Sequence, residues 1–118
     1  MMIDPMARAD GWEGFRLTLL DEGGSDELWL WEVLADAPNF FGDSSRKEQL
    51  AAAERLIREL LDGGWAFLAW PDGTRVSSVE AESEITRGRW REFPPAPEGD
   101  VRLIPTAKWR RWSAEARN

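Results

Sequence analysis

The chain has 118 residues, enough for one hydrophobic core and too few for two. Apolar residues make up 42% and charged residues 31%, the balance of an ordinary globular domain, and no apolar run approaches the roughly 20 residues that cross a bilayer. Cysteine, histidine and tyrosine are all missing, which removes disulfides, thiolate metal sites, iron–sulfur clusters, cysteine nucleophiles and imidazole chemistry together.

Catalysis would have to run on Asp, Glu, Ser, Thr, Arg or the two lysines, Lys47 and Lys108. A carboxylate pair can do acid–base work only in a cleft that raises one of its pKa values. A chain this short has little material for such a cleft once its core is filled, so a non-enzymatic role without a cofactor is expected. The start, Met1 to Met6, shows no basic segment followed by an apolar one, which with the missing cysteine points to a cytoplasmic address. Arginine outnumbers lysine 13 to 2, a bias of GC-rich bacterial genomes.

Charge is uneven along the chain. Residues 1–84 carry 7 basic and 18 acidic side chains, net −11, and residues 85–118 carry 8 and 4, net +4. Either the basic end folds back and neutralises its own body, or the molecule presents two faces of opposite sign and the acidic one steers a basic partner.

Residues 1–11 lack apolar periodicity and read as a flexible N-terminus preceding a single domain over 12–118. Trp12 to Leu20 is apolar but ambiguous between helix and strand, and Asp21 to Ser25 reads as a loop. A helix is then expected from a cap at Ser25 or Asp26, with Leu28, Trp31, Leu34 and Ala35 on one stripe, ending at Pro38. Phe40 and Phe41 dip from the following connection into the core. Ser45-Arg46-Lys47-Glu48 is a capping box. It opens a helix to about Leu61 whose inner face carries Leu50, Ala53, Leu56, Ile57, Leu60 and Leu61, and Gly63-Gly64 supplies a left-handed stop. Trp65–Trp70 reads as a strand, Pro71-Asp72-Gly73 as a tight turn, and Thr74–Val76 as a short return. Ser77 to Glu80 is a second capping box, opening a helix with Val79, Ala81 and Ile85 inward and Gly88 at its end. A proline-rich loop, Phe93 to Gly99, leads to a strand at Val101–Ile104 and a last helix capped by Thr106, with Trp109 and Trp112 on one side.

The order of helix, helix ending in Gly-Gly, strand, turn and short strand, then Val101-Arg102-Leu103-Ile104-Pro105-Thr106-Ala107-Lys108, resembles the second half of a winged helix-turn-helix domain. The likeness covers roughly residues 26–76 and 101–112, and it extends to small actinobacterial proteins of similar length. It implies an α+β fold of three to four helices with a small antiparallel sheet, Ser45–Leu61 standing where the recognition helix stands. Two departures are Trp109, where such domains often have glycine, and the insert at 77–100, a capped helix and proline loop inside the wing. The resemblance also implies DNA binding, but Arg46, Lys47, Arg55 and Arg58 are cancelled by Glu48, Glu54, Glu59 and Asp62, which argues against a groove-reading helix. A fold shared with DNA binders does not settle function.

Eight tryptophans are the other prominent feature. Some belong to the core, yet Trp29 and Trp31 sit two apart, as far from one stripe of a helix as neighbours can be, and Trp65 and Trp70 fall on opposite faces of one strand. Rings left at the surface are favoured interface anchors. Arg87-Gly88-Arg89-Trp90-Arg91 interleaves arginines with an aromatic, either for contact with a partner or to clamp Glu80, Glu82 and Glu84. Arg110-Arg111 between Trp109 and Trp112 repeats the composition. Asp21 to Glu27 lacks the spacing of a calcium loop, so a solvated acidic loop is expected and no metal. The candidate partner-binding residues are therefore Trp29, Glu32, Asp36, Trp70, Arg87, Arg89, Trp90 and Arg91. The partner expected is a basic protein, an immunity protein that neutralises a toxin being one concrete form. The alternative is a DNA-binding transcription regulator with a modified wing.

Overall fold

The computed structural model describes residues 11–23, 27–92 and 101–116. The ambiguous segment is helical: α1 runs Gly11–Gly23 and buries Gly14, Phe15, Leu19, Leu20 and Gly23. That i, i+4, i+5, i+8 spacing makes one stripe. The helix includes Gly11, which was expected in the flexible N-terminus.

The next helix starts later than expected. Leu28–Trp29 form β1, and α2 spans Leu30–Asp36. The caps expected at Ser25 or Asp26 lie outside the described residues. Leu28 and Trp29 leave the helix because they pair with Leu103 and Arg102 of β3, Arg102–Pro105, and the Leu30 amide donates to the Val101 carbonyl at 3.1 Å. Long-range ladder bonds here override local helical preference. The buried stripe accordingly moves to Leu30, Val33, Leu34 and Ala37, while Trp31 is half-buried and Ala35 exposed. Pro38 then sits in a 3-10 turn, Ala37–Asn39.

α3 spans Arg46–Asp62 behind the expected reciprocal cap: Ser45 Oγ accepts from the Glu48 amide at 3.1 Å, and Glu48 Oε1 accepts from the Ser45 amide at 3.2 Å. Ala53, Leu56, Ile57 and Leu60 are buried, with Leu50 and Leu61 half-buried. Gln49 joins the inner face because its Nε2 donates to the carbonyls of Phe41 and Ser44 at 3.1 and 3.3 Å, which satisfies the loop before the helix. The Phe40 and Phe41 rings pack 5.7 and 5.6 Å from the Phe15 ring, the first tilted and the second edge-on. Gly64 provides the left-handed residue after α3, at φ 74°.

β2, Ala66–Ala69, runs antiparallel to β3, and the sheet order is β1-β3-β2. The return at Thr74–Val76 is brief: Trp70 N–H donates to Thr74 O and Val76 N–H to Leu68 O, both at 2.8 Å. The chain then enters α4, Ser78–Arg87, where Ser77 Oγ caps the Glu80 amide at 3.2 Å. Ile85 is buried as expected, Ala81 half-buried, but Val79 is 83% exposed, since it lies on the outer side of the first turn. The proline-rich loop at 93–99 lies outside the described residues.

α5, Ala107–Ala116, closes the fold on α1. Thr106 does not use its hydroxyl as a cap. Its Oγ1 donates back to the carbonyls of Gly64 and Trp65, at 2.7 and 3.0 Å, tying α5 to the turn after α3. Trp109 is fully buried and donates its indole N–H to Leu20 O at 2.7 Å. Trp112 is half-buried, edge-on to Trp65 at 6.4 Å. The protein is thus an α+β fold of five helices and a three-stranded antiparallel sheet among the described residues. No helix there is long and apolar enough to cross a membrane.

Candidate functional site

Trp29, Glu32 and Asp36 do come together. Glu32 Oε1 accepts the Trp29 backbone N–H at 3.0 Å, fixing the start of α2. One turn on, Asp36 meets Glu22 from the end of α1, and the two carboxyls share a hydrogen bond. Partial burial and the charge of Asp36 push the Glu22 carboxyl up to about 7, with smaller contributions from that hydrogen bond, Glu32 and Asp21. Neither α1 nor α2 has a basic residue in its last turn, so the negative ends of two helix dipoles add to the same corner. Among the described residues no Lys or Arg forms an ion pair with Glu22, Glu32 or Asp36.

Arg102 joins the corner to the hairpin. Its guanidinium lies 5.5 Å from the Trp29 ring, pairs with Glu27 at 3.0 Å, and reaches the carbonyls of Trp70 and Pro71 at 3.4 Å each. Trp29 and Trp70, both half-buried, are therefore held through one arginine. Trp31, also half-buried, keeps an indole N–H that meets no acceptor among the described residues.

The basic run divides. Trp90, expected at an interface, is fully buried. The 3-10 turn Arg89–Arg91 swings its ring inward, and its N–H satisfies the Glu84 carbonyl at 2.8 Å at the end of α4. The ring presses so closely on Gly88 that a methyl there would meet Trp90 Cδ1 at 2.7 Å. Arg91 is equally structural, donating to Glu54 Oε2 at 2.9 Å and to Ile85 O at 2.7 Å. The clamp therefore grips α3, not the acids of α4; Glu82 goes instead to Arg58, at 2.7 and 2.8 Å. Arg87 and Arg89 remain exposed, in no ion pair among the described residues.

Of the eight tryptophans, Trp90 and Trp109 are buried and the other six half-buried. Glu22 was missed from the sequence, where it fell inside a presumed solvated loop. The readable signal was acid at the carboxyl ends of two successive helices with no base in either last turn.

A cleft of about 640 Å³ opens between α3, β2 and α4, and a shallower one of about 350 Å³ at residues 38–44. Neither contains Glu22 or Asp36. Among the described residues no group of three or more carboxylates is arranged to hold a metal ion.

No protein-family model, curated protein or solved structure matches this chain.

Proposed function

We infer that the protein is a non-enzymatic docking module, a cytoplasmic binder of a basic protein. The corner formed by Glu22, Glu32 and Asp36 beside Trp29 is its contact face. The observation that carries this is the carboxyl cluster: Glu22, Glu32 and Asp36 stand so close that the Glu22 carboxyl is pushed up to about 7, and no Lys or Arg forms an ion pair with any of the three among the described residues. A partner's arginine or lysine would relieve that repulsion, and the adjacent indoles offer flat apolar area. A protein that neutralises a basic toxin is one form of such a module.

An enzyme needs its raised carboxyl inside a cleft, and here cleft and carboxyl lie in different places. The strand order β1-β3-β2 and the α2–α3 pair support the winged-helix likeness. Its usual use is disfavoured by how the α3 arginines are committed. Arg58 is held by Glu54 and Glu82, and Arg55 stacks over Trp12 at 3.9 Å.

The test is co-purification from the native host of the intact chain and of a Trp29→Ala, Glu32→Gln variant with unchanged circular dichroism. The wild type should bring down a basic protein, released by salt and lost in the variant. Recovery of the protein alone, or equal capture by both, would refute the reading. A gel shift of random duplex at about 50 mM salt should be absent; a strong, salt-sensitive shift would instead favour the regulator.

A further inference from the structure

The outward side of α2 is divided lengthwise. Leu30, Val33, Leu34 and Ala37 turn to the core. With about 100° between successive residues, the opposite side carries Trp31 and Ala35 on one half and Glu32 and Asp36 on the other. Ala35 is exposed at the crest, and Trp31, Glu32 and Asp36 are half-buried beside it. Pro38, also exposed, carries the apolar half past the end of the helix. The acidic half is widened from α1, whose exposed Glu22 shares a hydrogen bond with Asp36.

The same face is polarised along its axis. α1 and α2 both end at the Glu22–Asp36 corner, and neither has a basic residue in its last turn. Two carbonyl ends and two carboxyls therefore place negative potential there. The other end of α2 holds its positive amino terminus and the guanidinium of Arg102, 5.5 Å from the Trp29 ring. A docked helix lying antiparallel meets opposite charge at both ends, whereas a parallel one meets like charge.

We propose that this face seats an amphipathic, basic helix of the partner protein, antiparallel to α2, with its amino end at the Glu22–Asp36 corner. The proposal deepens the docking reading above and rests on it. Ala35 has the smallest side chain of the crest, so a second helix axis can approach to about 8–10 Å. Glu32 and Asp36 stand one turn apart, and lysines or arginines at i, i+4 of the guest meet both. An apolar stripe beside those cations covers Trp31, Ala35 and Pro38. The free N–H groups of the guest's first turn add positive charge where α1 and α2 end.

The test uses the intact protein and a capped helical peptide of about 18 residues, long enough to hold its shape. It carries a leucine–alanine stripe flanked on one side by lysines at i, i+4. Amide NMR should show shifts at residues 29–38, weakened by salt. A spin label at the peptide's amino end should broaden Ala35 and Asp36, and one at its carboxyl end Leu28 and Trp29. Ala35→Gln, an exposed change checked by circular dichroism, should weaken binding about tenfold, and Glu32→Gln about threefold. A peptide of the same composition with its stripe scrambled should bind about tenfold more weakly. Equal binding of the scrambled peptide, reversed broadening, an unaffected Ala35→Gln, or no shift at millimolar peptide would each overturn the proposal. Native co-purification separates the two ideas. If the partner is lost with Trp29→Ala, Glu32→Gln but kept in full by Ala35→Gln, the corner docks without a helix along α2. If all three proteins capture equally, docking at this corner fails as well.

Discussion

Gly23 and Trp109 make the sharpest quantitative test of the packing. Gly23 ends α1 and is buried, and a methyl built on it would lie 2.5 Å from Trp109 Cη2 and 2.9 Å from Leu28 Cδ1. Ordinary carbon contacts are about 3.5–4.0 Å, so the overlap is about an ångström or more. Gly23 has no positive φ, so alanine adds no backbone strain and should by itself favour the helix by about 0.5–1 kcal/mol. Overpacking costs about 1–3 kcal/mol, leaving Gly23→Ala destabilising by about 1–2 kcal/mol. Trp109→Phe removes the ring carbons that press on Gly23, along with the N–H that Leu20 O accepts, and should cost about 2–4 kcal/mol. In that background Gly23→Ala keeps only the Leu28 Cδ1 contact, the movable end of a flexible side chain, and should be close to neutral or stabilising. The cycle therefore predicts a favourable coupling of about 1–3 kcal/mol. Urea unfolding of the four proteins, followed by circular dichroism, measures it. Equal cost of the alanine in both backgrounds would show that the indole does not abut Gly23.

The acidic corner should make stability fall with rising pH. Glu22 has a folded pKa of about 7 against an ordinary 4.5, so its neutral form is favoured by folding; the contribution is present below 4.5 and is lost as pH rises through 7. Asp36→Asn should lower the Glu22 midpoint in a carboxyl NMR titration and flatten that loss. Glu54 behaves oppositely. Burial opposes its ionisation, but Arg91 and Arg58 together hold its carboxyl below the usual range, so its contribution is present at neutral pH and lost on acidification. Glu54→Gln should cost about 1 kcal/mol at pH 7, part-exposed as the pairs are, with the difference vanishing near pH 3 and shrinking in salt. Trp90→Ala should cost about 3–5 kcal/mol, whereas Arg87→Ala and Arg89→Ala should leave the melting temperature nearly unchanged.

Where a local rule had no competitor, the sequence was readable. The Ser45–Glu48 box, the α3 stripe, the Gly64 stop and the Pro71–Gly73 turn all lie where spacing places them. Failures came where distant chain decided. Leu28 and Trp29 have helical neighbours but answer to β3, a partner some seventy residues on. Val79 sits at a position that alternates inward on paper, yet α4 touches the body only through its later turns. At the candidate site, Trp29, Glu32 and Asp36 were legible as an acidic, aromatic stretch. Glu22 was not, because its meeting with Asp36 depends on how α1 crosses α2. Trp90 read as a surface ring because an arginine stands on either side of Gly88 and of the ring itself; the 3-10 turn that rotates it inward leaves no trace in composition.

The burial of Trp90 has a consequence for how this architecture can vary. An excursion from a sheet that sends a large ring back among the central side chains stops being an ornament, since its length is pinned at both ends by what it contributes. The stretch from Ile85 to Arg91 is as fixed as any strand. Clipping or transplanting the excursion should therefore unseat the whole domain and not merely trim its outline.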